Sequence, residues 1–374
     1  MVGEPRGYRY ITFDDEAVIA AAESDPIGFV RRLPARVILD EVQRVPGIFT
    51  SLKAAIDLRR TSGRFILTGS ANVLVVPGLS DSLTGRMGIL RLHPLAQCEI
   101  ENRRPNFLDS LFRGRFKTGL AERLDDDLAR RIVAGGYPAA LARRTAARRR
   151  AWYRDYVETQ IQRDVRDLAR IHSLEALPKL LAVAAARTAQ IINVADLAAP
   201  FELTRQTVND YVTLLEHIFV LEKLPAWHSN RLSRSVKRPK LHIADTGVAC
   251  ALLGVDAEAL DSDRPLLGSM LESFVQQELR RQTSWHPEPH ALFHFRDRDG
   301  YEVDIVLERG RAIAGLEVKA AGTVGGADFR GLRKLRDAVG QRFAAGVVLY
   351  DGSATVAHDD GLVAVPLRRL WETG

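Results

Sequence analysis

The chain has 374 residues and a mass of 41.5 kDa, more than one hydrophobic core usually holds, so two or three domains are expected. Hydrophobic residues at 46% and charged residues at 27% are those of a folded globular protein, which excludes a disordered or fibrous chain. A net charge of +6 and a pI near 9.4 lean toward a polyanionic partner. No run approaches the ~20 apolar residues of a membrane span, and the opening MVGEPRGYRY has no apolar signal core. Cys98 and Cys250 lie far apart and make no metal-type pair, so a cytoplasmic, reducing compartment and no membrane partner are expected.

Residues 35–100 alternate short apolar runs with helical patterns, which reads as α/β. Arg36–Asp40 and Arg64–Thr68 have the unbroken apolar character of buried parallel strands, and Ile48–Arg60 between them suits a helix. Residues 107–217 are mainly helical, with Gly135-Gly136-Tyr137-Pro138 as a break. Short β-like runs return over 219–243 and helix over 268–283. Then come strands at Leu292–Arg296, Glu302–Glu308 and Ala312–Lys319, a helix at Phe329–Val339 and a strand at Ala345–Tyr350.

Val37-Ile38-Leu39 ends in two adjacent carboxylates, Asp40 and Glu41. In phosphoryl transfer, a carboxylate at a strand end holds Mg²⁺ and its neighbour polarises the attacking water. Phe65-Ile66-Leu67-Thr68-Gly69-Ser70-Ala71-Asn72 delivers small polar side chains to the end of a second buried strand, where ligands bind in open α/β sheets. Ser82-Leu83-Thr84-Gly85-Arg86 then places an arginine after a glycine turn, suited to a γ-phosphate.

Together ILDEVQRVP, FILTGSAN and SLTGRMGILRLHPL resemble the bacterial and archaeal AAA-type ATP-binding proteins that carry the C-terminal domain of unknown function 4143. The resemblance runs over essentially the whole chain. It implies a Walker B pair at Asp40 (Mg²⁺) and Glu41 (catalytic), a sensor at Ser70 or Asn72, and a sensor or finger arginine at Arg86. A finger acting between subunits would imply a homo-oligomer, and a role within one chain is equally open. Such proteins hold the triphosphate in a G-x-x-x-x-G-K-[ST] loop, and that string is absent from the sequence. The nearest string, Gly114-Arg115-Phe116-Lys117-Thr118, has no glycine before its lysine. In the family the loop precedes the segment matched by Tyr8–Asp15, so the expectation is an incomplete AAA-type domain. ATP would be bound in full only with an upstream segment restored.

Further along, Ser173–Arg187 and Asn193–Ala198 read as helices, and Thr204 caps a third that runs to about His217. Its apolar stripe is Val208, Tyr211, Val212 and Leu215, which leaves Arg205, Gln206 and Asn209 exposed, as a DNA-recognition helix presents base-reading groups. Phe219–Trp227 and Lys240–Ile243 would be the strands of a wing. Between Arg231 and Lys240 lie five basic residues and no acid, with Arg234, Lys237 and Arg238 as candidate phosphate contacts. Residues 143–170 carry nine arginines against four acids. Either basic run reads equally well as a solvated face.

In the last third, Asp304 on one strand and Glu317 and Lys319, two apart on the next, form the D…E-x-K pattern of a metal-dependent phosphodiesterase. Asp304 and Glu317 would hold Mg²⁺, Lys319 would orient water, and Glu272 on the preceding helix could add a ligand. The bland alternative is a salt bridge at a strand edge. The element order resembles the restriction-endonuclease-like fold. His242 reads as structural, and Asp245-Thr246-Gly247, a family signature, only as a capped turn.

The expected architecture is therefore α/β in three parts. Residues 1–100 form an incomplete P-loop AAA-type domain, 101–245 a helical lid and winged helix, and 246–374 a restriction-endonuclease-like domain. The leading function is an ATP-binding, DNA-associated AAA-type protein with a nuclease-like C-terminal domain. The alternatives are a non-enzymatic DNA-binding or interaction protein with decayed sites, and a stand-alone Mg²⁺-dependent nuclease.

Overall fold

A computed structural model describes residues 4–69, 83, 85–161, 176–201, 203–230, 234, 237–359 and 361–372. Two compact units separate. One falls within Met1–Leu90 and Thr213–Phe219, the other within Arg91–Ile161, His172–Val212 and Val220–Gly374.

The first unit is built on three parallel strands, β1 (Arg9–Thr12), β2 (Val37–Asp40) and β3 (Phe65–Leu67), in the order β1-β2-β3. Parallel neighbours need crossover connections. Here α1 (Glu16–Ser24) and α2 (Pro26–Arg32) lead from β1 to β2, and α3 (Ile48–Leu58) from β2 to β3. The two short helices are separated by their caps. Asp15 accepts the N–H of Ala17, and Asp25 accepts that of Gly28, with Pro26 opening α2. Val37 and Leu39 are fully buried and share a core with Phe13, Val42, Ile48, Phe49 and Leu52. The strands expected at 36–40 and 64–68 are β2 and β3, and the helix expected at 48–60 is α3.

The second unit begins with helical segments that include α4 (Asp126–Ala134), α5 (Ala146–Gln160) and α6 (Ala176–Ala186). After α6 come β4 (Gln190–Ile191), α7 (Val194–Ala198), the helix α8 (Arg205–His217), β5 (Leu221–Leu224) and β6 (Lys240–Ile243). The strands make an antiparallel sheet in the order β4-β6-β5. Then α9 (Thr246–Leu253) and the 22-residue α10 (Arg264–Trp285) lead into a six-stranded sheet.

That sheet comprises β7 (Ala291–Arg296), β8 (Glu302–Arg309), β9 (Ala312–Lys319), β10 (Phe343–Tyr350), β11 (Val356–Asp359) and β12 (Leu362–Pro366), in the order β11-β12-β10-β9-β8-β7. β7, β8 and β9 run antiparallel, and β9, β10 and β12 parallel. The interiors of β8, β9 and β10 are buried almost residue for residue, as strands read when both faces are covered. α11 (Arg330–Val339) packs Leu332 and Leu335 onto this sheet. Gly315 lets it come close, since a Cβ there would sit 2.6 Å from Leu335 Cδ2. The two sheets meet beyond β5, where Trp227 N–H donates to His294 O (2.6 Å) and His294 N–H to Pro225 O (2.9 Å). Most of the residues assigned to a lid and wing thus fall in the same unit as those assigned to an endonuclease-like sheet, while Thr213–Phe219 at the end of α8 falls in the other.

Candidate functional site

β2 is the central strand of the first sheet, and its last residue, Asp40, sits at the C-terminal edge where the chain leaves the ladder. Both neighbours hold that edge: Phe13 N–H donates to Asp40 O (3.0 Å), and Thr68 N–H to Leu39 O (3.0 Å). The Asp40 carboxylate accepts hydroxyl protons from Tyr10 on β1 and Thr68 after β3. That bond to Asp40 raises the Tyr10 pKa. Glu41 adopts a left-handed backbone (φ 54°, ψ 41°). For a residue with a Cβ such a conformation costs about 1–3 kcal/mol and persists where the surroundings impose it, a pattern concentrated at ligand sites. Gln43 Nε2 donates to Glu41 Oε2, so both carboxylates are oriented by neighbouring side chains. Arg86 makes a two-pronged pair with Asp57 of α3, Nε to Oδ1 at 2.8 Å and Nη2 to Oδ2 at 3.0 Å. Ser70 and Asn72 lie outside the described residues.

On α8 the side chains of Val208, Tyr211 and Val212 are buried, and Arg205, Gln206 and Asn209 are exposed. Thr204 Oγ1 accepts the N–H of Thr207, and Gln206 donates to Asp210 Oδ1 (2.9 Å) along the helix. Lys237 and Arg238 are exposed on the approach to β6. Arg234 is placed differently. Its guanidinium lies 2.9 Å from Glu308 with both side chains at most 13% exposed, and it covers the rings of Trp227 and Phe293. Its charge is therefore paired within the fold.

The third set of expected residues does converge. The β8–β9 ladder closes at Ile305↔Leu316, and just past that pair Asp304 Oδ2 accepts the N–H of Val318 (2.9 Å). Glu317 and Lys319 share one face of β9, and Lys319 Nζ donates to Glu317 Oε1 (2.8 Å). Between Glu272 of α10 and Asp304 lies a residue that the sequence marks only as part of a basic run. Lys240, the first residue of β6, puts Nζ 2.7 Å from Glu272 Oε1 and 3.3 Å from Asp304 Oδ1, with its side chain 3% exposed. Burial alone would depress the pKa of Lys240, but the carboxylates of Glu272 and Asp304 outweigh it and keep the ammonium charged. Burial, reinforced by the Asp304 charge, holds Glu272 well above the usual carboxylate range and pushes Glu317 to about 8.

The available signal for Lys240 was its place in the pattern Lys240-Leu241-His242-Ile243, which is buried throughout. A lysine heading an all-buried strand requires a partner. These residues do not fit a Mg²⁺ ion. Its ligands stand at about 2.0–2.1 Å, whereas Glu272 Oε1, Asp304 Oδ1 and Glu317 Oε1 already bind an ammonium and Asp304 Oδ2 a backbone N–H. Among the described residues, no group of three or more His, Cys, Asp or Glu side chains is disposed to hold a metal.

Sequence comparison accounts for most of the chain. Residues 2–101 match the AAA domain family. Residues 125–259 match a domain of unknown function, DUF8612, and residues 267–370 a second, DUF4143. Uncharacterized proteins of Mycobacterium tuberculosis and Mycobacterium bovis are each 27% identical to the chain over 365 residues, covering 97% of it and 76% of the relative. A crystal structure of a Vibrio cholerae protein aligns over 95% of this chain and 78% of its own, at 10% identity and a TM-score of 0.21, too low to bear on the fold. The AAA match covers all of β1, β2 and β3, so Asp40 and Glu41 lie in the segment that matches the AAA domain family. Lys240 belongs to the DUF8612 segment, while Glu272, Asp304 and Glu317 belong to DUF4143.

Proposed function

We propose that the chain is an AAA-type, ATPase-like protein whose nucleotide-responsive end is the carboxylate edge of β2. The observation that carries this reading is Asp40 at the C-terminal end of the central parallel strand, followed by Glu41 in a left-handed backbone. With a magnesium nucleotide bound, Asp40 would hold the ion and Glu41 would position water. The ion would supply charge stabilisation at the transferring phosphoryl group. Thr68 and Tyr10 orient Asp40 through its oxygens. Arg86, which Asp57 now engages, would exchange that partner for a phosphate in the sensor or finger role. The test is thermal unfolding of the 374-residue chain with magnesium-ATP at millimolar concentration. A rise in Tm in the wild type that is missing in Asp40→Ala supports the reading. An equal rise in both removes it.

A DNA partner is the second part of the proposal. It is supported by the exposed Arg205, Gln206 and Asn209 at the start of α8 and by Lys237 and Arg238 ahead of β6. The order of helices and strands from α6 to β6 supports reading this segment as a winged helix, a fold that presents such a helix to a major groove. The six-stranded sheet carries Asp304 and Glu317–Lys319 in the order of a restriction-endonuclease-like fold.

A further inference from the structure

We propose that Lys240 is a built-in cation that replaces the divalent metal in the DUF4143 sheet, so that this sheet is a non-hydrolytic module locked to the DUF8612 segment. The argument is independent of the nucleotide reading, because every residue involved lies in the second unit.

The geometry is that of a filled site. One ammonium contacts Glu272 Oε1 at 2.7 Å and Asp304 Oδ1 at 3.3 Å, while the other Asp304 oxygen is taken by the N–H of Val318. Glu317 gives one oxygen to Lys319 Nζ, and its second is buried without a hydrogen-bond partner. Three carboxyl groups thus surround two ammoniums, and the more deeply placed ammonium stands between the residues that would coordinate a metal. A second, divalent cation beside Lys240 would be repelled at short range in a medium of low dielectric constant. An ammonium also differs from a metal in chemistry. It cannot lower the pKa of a bound water as a metal does or clamp two phosphate oxygens, so the cluster lacks the means to generate a nucleophile.

What the cluster does instead is join two segments. β6 is held by β4 and β5 in the small sheet, and its first side chain closes the charge cluster of the large one. His242, two residues on, repeats the inward direction and meets Ser273 Oγ at 3.0 Å, one position after Glu272 on α10. The bond from Lys240 to Glu272 is therefore one of three polar ties between β6 and α10 seen among the described residues, the third being Gln277 Nε2 donating to Ile243 O (2.6 Å).

The experiment is Mn²⁺ binding to the full chain, followed by electron paramagnetic resonance, with Asp304→Asn, Lys240→Met, Lys240→Gln and Lys240→Met/Asp304→Asn alongside. The wild type should bind no Mn²⁺ in this cluster at about 1 mM, the weak end of protein divalent-cation affinities. Removing the ammonium should open the carboxylates, so that Lys240→Met or Lys240→Gln gains a site, or recovers thermal stability when Mn²⁺ is added. Adding Asp304→Asn should weaken that gained site by ~10-fold or more. Wild-type Mn²⁺ binding that Asp304→Asn abolishes overturns the proposal. Two folded lysine variants that both fail to gain Mn²⁺ overturn it too, because the carboxylates would then not form a vacated metal site.

Discussion

Arg281 on α10 lies 3.1 Å from Asp245, its Nη2 on Oδ2, with side chains 3% and 1% exposed. The same Asp245 oxygen accepts the N–H of Gly136 (2.8 Å), and the other accepts those of Gly247 and Val248 at the start of α9. One carboxylate thus caps a helix, pairs a buried arginine and pins the Gly135–Pro138 break. Removing one member of a buried, hydrogen-bonded ion pair costs about 3–5 kcal/mol, because the partner is left charged and unsatisfied. Asp245→Ala is therefore expected to lower urea-unfolding stability by that order. Asp245→Ala/Arg281→Met should recover part of the deficit, since no lone charge remains. Strict additivity of the two single variants counts against the coupling.

Gly135 predicts a second lesion in the same place. It sits at φ +65°, and a Cβ there would fall 2.2 Å from both Asp245 Oδ1 and Tyr153 Oη. Gly135→Ala should destabilise by more than the roughly 1 kcal/mol that an unfavourable φ alone brings, since the capping carboxylate must also move. Thermal unfolding of Gly135→Ala beside Gly254→Ala separates the two contributions. Gly254 has a similar φ of +70° and open space around it. Equal destabilisation in the two variants would remove the steric argument.

These two sites show what was and was not legible. Gly135-Gly136-Tyr137-Pro138 was readable as a break and Asp245-Thr246-Gly247 as a capped turn, because both are local signals. Their mutual contact was not, since 109 residues separate Gly136 from Asp245. Likewise Asp40, with its strand and its neighbour Glu41, follows from a short apolar run ending in carboxylates. Glu272, Asp304, Glu317 and Lys319 were brought together by strand period and element order. Lys240 and Arg234 escaped for one reason: a basic run has no periodicity to say which side chains turn inward. Only the tertiary partners, Glu272 with Asp304 for one and Glu308 for the other, decide it. Nor is the pairing of Asp57 with Arg86 visible in the sequence, because the two come from different elements.

A pH dependence follows from Glu278. It is fully buried, accepts the N–H of Gln97 (2.9 Å) and pairs with Arg281 at 3.1 Å. Burial, only partly offset by Arg281, raises its pKa from 4.5 to about 7. A carboxyl raised on folding keeps its proton longer in the native state. The native state therefore binds more protons than the unfolded one between about pH 4.5 and 7, and stability falls as pH rises through that window. The slope for one group is at most ~1.4 kcal/mol per pH unit. In Glu278→Gln the urea-unfolding stability should decline less from about pH 5 to 7 than in the wild type. Parallel profiles would mean that Glu278 does not titrate in that range.

The exposed cations of the second unit make the last prediction. Arg205, Lys237 and Arg238 are exposed, whereas Arg234 is turned onto Glu308, Trp227 and Phe293. If the first three bind phosphates, duplex DNA binding should be salt-dependent through released counterions. Removing one phosphate-binding cation should flatten the slope of log K against log salt by roughly 0.9. Arg205→Ala/Lys237→Ala/Arg238→Ala should therefore weaken binding across unrelated sequences and reduce the slope by up to about 3. Arg205→Ala alone, at the exposed start of α8, should also narrow the difference between a preferred and a random sequence. Arg234→Ala should leave the salt slope intact and lower thermal stability instead, because Glu308, in a nearly closed site, would lose its nearer cation and keep only Arg342 at 3.6 Å. Fluorescence anisotropy with labelled duplexes at several salt concentrations reads the slopes and the sequence preference, and a melting curve reads the stability of Arg234→Ala. An unchanged slope in the triple variant would move any DNA-binding surface elsewhere, with the arginines of α5 the next to substitute.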